Sequence, residues 1–337
     1  MQLYSKIRFR SVLWAVICFC MLCACGTDKP DVSDIQVDTK IERFDHDLTA
    51  SISKPDVIKN LQDKYGLFYE TFTFKILQIR PGSDEEVADA LRSFVTDSSV
   101  ASVSQSIDSV YKDTRELEEG FNEFAKHYKY YFPKDTFPRI VACNTFFNYA
   151  IAIDSGFIGL GLDMFLGEQS HYYELIGMPL FMRKRMAPQY LVPATVLGWF
   201  NSEYPRELEG KEFLNQMIHQ GKSMYFASKM LPETPDSVLL AFSPSELKWC
   251  EDNEERIWSM FIEKKMLFST DPSHYIKFLG EAPKSSGFPD DAPDRIGVWV
   301  GWQIVKKYMN KNPESSLQQL IAEKDALKIL EQSGYKP

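Results

Sequence analysis

The chain carries none of the short motifs that announce a catalytic centre. There is no His-Glu-x-x-His pair for zinc, no Gly-x-Ser-x-Gly elbow, no phosphate loop and no dinucleotide fingerprint. The five histidines, His46, His127, His171, His219 and His274, stand too far apart for any two to share one helical face. A zinc site built from them would require long-range convergence. Cysteine is scarcer than its count of six suggests, because Cys18, Cys20, Cys23 and Cys25 crowd the first 25 residues. Only Cys143 and Cys250 remain for a folded part. They suit either a disulfide in an oxidising compartment or two buried thiols, and they do not form a cysteine-based metal site. Basic residues are outnumbered, 38 against 47 acids, for a net charge of −9. That argues against nucleic acid and against an electrostatic grip on anionic lipid.

What is present begins at the N-terminus. Lys6, Arg8 and Arg10 precede an almost continuously apolar Val12–Met21, closed by Leu22-Cys23-Ala24-Cys25. A basic start, a short apolar core and a small-residue cleavage site make a secretory signal. The core is shorter than the roughly twenty apolar residues a membrane span needs. Leu-x-Ala-Cys followed by Gly26 matches the bacterial lipoprotein processing signal, with residues 1–24 removed and Cys25 acylated as the new first residue. Several acyl chains anchor stably where one binds marginally. Loss of three basic residues with the signal takes the net charge to −12, so lipid, not charge, supplies the tether.

Residues 25–40 read as a polar, lipidated tether and 41–337 as a single mainly helical domain. Helical spacing runs through Asp84–Thr96 and Val103–Phe124. At Pro138 the pattern changes to short apolar runs, Arg139–Cys143, Tyr149–Ile153 and Phe157–Leu160, with Asp154-Ser155-Gly156 as a hairpin turn. Helical spacing then returns over Val192–Glu203, Glu209–Met230, Ser245–Leu267, Arg295–Met309 and Ser315–Gln332. The expected fold is therefore α+β, predominantly helical around a small central β-sheet.

One constellation suggests a cleft. Trp199 and Glu203 lie on one face of a helix, His219 and Gln220 follow, and Trp249, Glu254 and Trp258 fall on a third helix. Aromatic rings beside carboxylates could line a groove for a sugar or peptide. The plainer reading packs the tryptophans in the core and leaves the acids in water.

Several blocks resemble the gliding-motility lipoprotein B (GldB) family of Bacteroidota. They are Asn148-Tyr149, Ile158–Gly167, Met217–Lys222, Trp249–Glu254 with Ile257-Trp258, Arg295-Ile296-Gly297 with Gly301-Trp302, and Gly334–Pro337. The resemblance runs from Ile41–Asp45 to the terminus and agrees with the lipoprotein signal. It implies an envelope lipoprotein associated with gliding and its secretion machinery, tethered to membrane by its lipid and working with envelope protein partners. The layout is also similar, more distantly, to gluzincin-type zinc peptidases. In that comparison Ile153–Leu162 stands for the edge strand, Val192–Glu203 for the first ligand helix and Ile218–Phe226 for the second. The ligands do not carry over: the first helix has no histidine, and Gln220 stands where the glutamate ligand would be. A neutral amide is a poor zinc ligand, so the resemblance implies a scaffold without metal, cofactor or catalytic residues. The alternatives are an envelope hydrolase using Glu203 and Glu254 as acid and base, and a glycan-binding lipoprotein. Gly26 in place of Asp gives no inner-membrane retention signal, and Gly26–Asp31 lacks an adjacent acidic pair. Together these point to the periplasmic face of the outer membrane.

Cys25→Ala is expected to block processing and lipid attachment. Membrane partition of the variant by fractionation checks this, and partition equal to the parent would refute the lipidation signal.

Overall fold

In the computed structural model, residues 29–205 and 211–337 are described. Cys25 and the signal at 1–24 lie outside the described residues. Chain contacts separate Met1–Asp34 from Ile35–Pro337. Within the first unit, the Ser33 N–H donates to the Asp31 carboxylate at 2.9 Å. Every element below belongs to the second.

The strands are β1 (Ile41–Arg43), β2 (Arg139–Cys143), β3 (Ile151–Asp154) and β4 (Phe157–Gly161), ordered β1-β2-β4-β3. β2 pairs in parallel with β1 and β4, and β3 runs antiparallel on the edge. Because side chains alternate across a strand, β2 feeds two cores. Ile140 and Ala142, with Ile158 and Leu160 of β4, enter the larger one, and Val141, Cys143 and Phe157 enter the smaller. A strand covered on both faces needs an unbroken apolar run, which Ile140–Cys143 supplies. The Asp154–Gly156 turn forms the expected hairpin, with Gly156 at φ 85°.

The smaller core lies under α1 (Phe44–Ser51), α2 (Val57–Tyr65), α3 (Leu67–Glu70) continuing into a π-turn at Thr71–Ile76, and α4 (Asp84–Thr96). Phe44 is its hub, with Tyr65, Phe68 and Phe72 rings at 4.9, 5.1 and 4.7 Å. α4 begins and ends where the sequence places it, started by a capping box between Ser83 and Glu86. On the opposite face come α5 (Ser98–Val110), α6 (Arg115–Tyr131), α7 (His171–Leu175), α8 (Leu180–Arg183), α9 (Leu191–Glu203) and α10 (Phe213–Met230). The chain closes with α11 (Asp236–Leu240), α12 (Pro244–Asp252), α13 (Glu254–Glu263), α14 (Pro272–Phe278), α15 (Ile296–Lys311), α16 (Leu317–Ala322) and α17 (Ala326–Ser333).

Three long helical expectations are corrected by breaks. Val103–Phe124 divides between α5 and α6, where Asp113 binds the Arg115 guanidinium and N–H in the connection. Ser245–Leu267 divides at Asn253, whose side chain donates to Trp249 O at 2.9 Å and closes α12. Ser315–Gln332 divides at Glu323–Asp325, and Asp325 caps α17 through the Lys328 N–H. The short strand β1 has no apolar alternation to announce it. Cys143 and Cys250 are free and buried, and they sit in different cores.

α10 and α15 make the most extensive helix pairing in the fold. It depends on two glycines. A Cβ on Gly221 would stand 2.2 Å from the Gly301 carbonyl oxygen, and one on Gly301 would stand 2.1 Å from the Met217 oxygen. Only backbone fits against backbone there. Gly198 in α9 differs: its Cβ would meet Ile153 and Ile151 at 3.5 and 3.8 Å, ordinary contact distances. Gly221→Ala and Gly301→Ala should each cost about 3 kcal/mol, whereas Gly198→Ala should gain up to about 1 kcal/mol from helix propensity. Urea unfolding of the three variants checks this contrast, and equal midpoints would refute the close crossing.

Candidate functional site

α10 carries Asn215, Ile218, His219 and Lys222 along one side, the i, i+3, i+4 and i+7 spacing of a single helical face. They open onto a cavity of about 710 Å³. Phe132, from the end of α6, and Phe200, Tyr204 and Pro205, from the end of α9, form an aromatic wall. Ile321, Ala322, Glu323, Lys324 and Ala326, where α16 passes into α17, form the opposite side.

Lys222 is the chemically unusual group. Its residue is only 7% exposed, because the glycine crossing holds this stretch of α10 deep against α15. Its amine donates to the Glu323 carbonyl and to the Ile321 carbonyl, the latter at 3.5 Å. The last carbonyls of a helix lack intrahelical partners and carry the negative end of the dipole, so the end of α16 is a natural seat for an ammonium. The Glu323 side chain is turned away to Lys328 and the Asp325 N–H. Burial pulls the Lys222 pKa down to about 8, against a smaller upward pull from Glu323.

His219 lies at the rim. Its Nε2 is 3.3 Å from Asn201 Oδ1, and its ring centroid is 5.6 Å from that of Phe200. Asn201 Nδ2 donates to Leu197 O at 2.9 Å, which turns Oδ1 toward the histidine. Of the residues singled out in the sequence, His219 is the one that lines this cavity. Gln220 is its half-buried neighbour on α10 and does not face the cavity. Glu203 is exposed at the end of α9. Trp199 is core: its ring stands edge-on to Tyr128 at 5.6 Å and beside Phe137 at 6.5 Å. Trp249 packs edge-on against Phe288 at 5.6 Å and Trp258 against Tyr335 at 5.1 Å. Glu254 accepts the Tyr335 hydroxyl at 2.8 Å. That trio pins the C-terminus onto α13, so the expected single cleft of tryptophans and acids is not what the fold builds. Among the described residues, no group of three His, Cys, Asp or Glu side chains is placed to hold a metal ion.

A second polar centre lies beside the sheet. Asp163, fully buried, accepts from the Thr145 N–H (2.8 Å), the Thr145 hydroxyl (2.9 Å) and the Phe147 N–H (2.6 Å). Burial nonetheless pushes its carboxyl up to about 6. These bonds hold Phe146 and Phe147 at φ 52° and 62°, a region that bulky residues enter only under constraint. The Asn148-Tyr149 and Ile158–Gly167 blocks are thereby tied into one framework.

A protein-family model for gliding motility protein GldB matches residues 26–337. The chain belongs to that family. Comparison with curated proteins and with solved structures found no match. As a GldB-family chain it is an envelope-associated lipoprotein linked to gliding motility, and the match begins one residue after Cys25. Lys222 lies inside a block that carried the family resemblance but was not among the candidate site residues. The His-x-x-Lys spacing was visible, whereas the carbonyls that receive the amine come from a hundred residues away.

The fold lowers the Lys222 pKa, so the unfolded chain holds that proton more tightly. The resulting penalty on stability is full below about pH 8 and fades as pH rises toward the ordinary 10.5. Parent stability relative to Lys222→Met should therefore rise by roughly 2 kcal/mol between neutral pH and pH 10. Urea unfolding across that range measures it, and a flat difference would overturn the assignment.

Proposed function

We propose that this GldB-family lipoprotein is a non-catalytic accessory of the gliding, secretion or envelope-assembly machinery. In this reading it receives a segment of a partner protein in the cavity between α9, α10 and the α16–α17 junction. The observation that carries the reading is the cavity itself, with three aromatic side chains on one side and the buried Lys222 amine at its base. Apolar walls with a few placed polar groups are the common make-up of a binding pocket. Catalysis draws less support. Glu254 is engaged with Tyr335 away from the cavity, and Lys222 is seated on backbone carbonyls.

We also infer that the scaffold is a peptidase-like one that has lost its metal chemistry. The Ile153–Leu162 stretch expected as the edge strand is mostly β4, an interior strand; the edge is β3, antiparallel to it, and α9 lies over β3 at Gly198. This step is fold analogy. The periplasmic face of the outer membrane remains the proposed location, on the Gly26–Asp31 sequence.

A photo-crosslinking amino acid in place of Tyr204, in the lipidated protein within its own envelope, is expected to trap an envelope protein. Adding Ala322→Trp, which fills the cavity from an exposed position, should abolish the adduct while the fold survives by circular dichroism. Adducts that persist after filling would exclude the cavity as the docking site.

A further inference from the structure

The α7–α8 turn leaves three large aliphatic side chains in water. Leu175 and Leu180 are each 75% exposed and Ile176 is 47% exposed. Backbone bonds fold this stretch into one reversal: the Met178 N–H donates to Tyr173 O at 2.8 Å and the Met182 N–H to Pro179 O at 3.0 Å. Gly177, at φ 71°, and Pro179 make the bend. Leu175, Ile176 and Leu180 are therefore carried on a single short reversal, the α7–α8 tip.

The base of the tip is firmly held. Tyr173 is fully buried, and its hydroxyl donates to Asp163 O at 3.1 Å and accepts from the Leu166 N–H at 2.7 Å. Met178 is buried beneath the turn. On the far side, Arg185 Nη2 donates buried hydrogen bonds to both oxygens of the Asp294 carboxylate, at 2.6 and 2.7 Å. A well-anchored turn that presents adjacent aliphatics outward is unlike a scatter of single exposed apolar residues, and it marks a contact surface.

The chain itself points to what covers it. Residues 174–186 contain Arg183, Lys184 and Arg185 against one acid, Glu174, in a chain of net charge −9. Lys184 pairs with Glu246 and Arg185 is buried against Asp294, whereas the half-buried Arg183 donates to Met178 O inside the turn and stands as the cation at its edge. An apolar tip with a cation at its edge suits the headgroup–acyl boundary of a bilayer. The ten residues Cys25–Asp34 span at most about 35 Å fully extended, which keeps the domain beside the bilayer that holds its lipid. We propose that the α7–α8 tip is a second membrane contact, in which Leu175, Ile176 and Leu180 enter the interfacial layer of that bilayer. The contact rests on the lipid anchor at Cys25 and not on the cavity, and it would fix the stance of the domain that the tether alone leaves free.

The test uses the full lipidated protein reconstituted into phosphatidylethanolamine–phosphatidylglycerol vesicles. Cys143 and Cys250 are buried and Cys25 is consumed by lipid, so an introduced thiol labels selectively. An environment-sensitive fluorophore at Leu180→Cys should be quenched by spin-labelled lipid at least about threefold more than the same label at the exposed Lys59→Cys. Leu175→Glu in the Leu180→Cys background should return quenching to the Lys59→Cys level. Equal quenching at the two sites in protein that floats with vesicles would overturn the proposal and leave the anchor standing. A blue-shifted but unquenched Leu180→Cys label would assign the tip to a second protein surface and would also overturn it. Protein that fails to float with vesicles would overturn the anchor and the tip together.

Discussion

The backbone contact between α10 and α15 at Gly221 and Gly301 is the constraint on which the rest of the fold depends. It brings two helices closer than side chains permit, and both then become interior elements. α10 is buried along most of its length, and α15 carries the fully buried Trp302, with the Lys306 ammonium 3.6 Å from its ring centroid. Neither helix has the clean apolar stripe of a surface helix, because each is covered on several sides. Lys222 follows Gly221 directly. Wherever the glycine crossing goes, the lysine is carried with it into a poorly solvated place.

A charge so placed needs partners that the local chain cannot provide. For Lys222 they are the final carbonyls of α16, and for Arg185 the Asp294 carboxylate, which also accepts the Ala282 N–H at 3.1 Å. Asp163 uses the N–H groups of a bent loop. In each case a buried ion is satisfied at least partly by chain from a distant part of the sequence, which staples long-range contacts that apolar packing alone would leave less specific. The accounts are not fully closed: among the described residues, Arg185 Nε and Nη1 and the Trp199 and Trp302 ring nitrogens are buried without a hydrogen-bond partner. Such groups cost free energy, and removing a single member of these pairs leaves its charged partner stranded.

The sequence was most legible where one local signal decided the outcome. The apolar spacing of α4, the apolar run of β2 and the glycine of the β3–β4 turn each act within a few residues, and each was readable. Helix length was less so, because Asn253 and Asp325 break continuous apolar spacing through single side-chain bonds. The candidate site was read least well. Tryptophan beside carboxylate resembles a cleft in one dimension, but Trp199 is drawn into the core by Tyr128 and Phe137, and the half-buried Trp258 and Glu254 are engaged by Tyr335. His219 was named as one member of that constellation, and the fold places it on the cavity. Lys222 was passed over because its burial and its partners are tertiary facts.

The hydrogen bonding of His219 bears on whether this cavity binds or reacts. Asn201 Nδ2 is occupied by Leu197 O, so its Oδ1 acts as the acceptor and the imidazole Nε2 as the donor. The Asn201 amide thereby orients the ring at the rim, beside Phe200. Lys222 donates to two backbone carbonyls at the end of α16, while burial lowers its pKa to about 8. Asn215, Gln318, Glu323 and Lys324 add further polar groups to the lining. Hydrogen-bond donors beside aromatic rings suit recognition of peptide carbonyls or carboxylates. That lining supports a binding role for the cavity in a GldB-family lipoprotein.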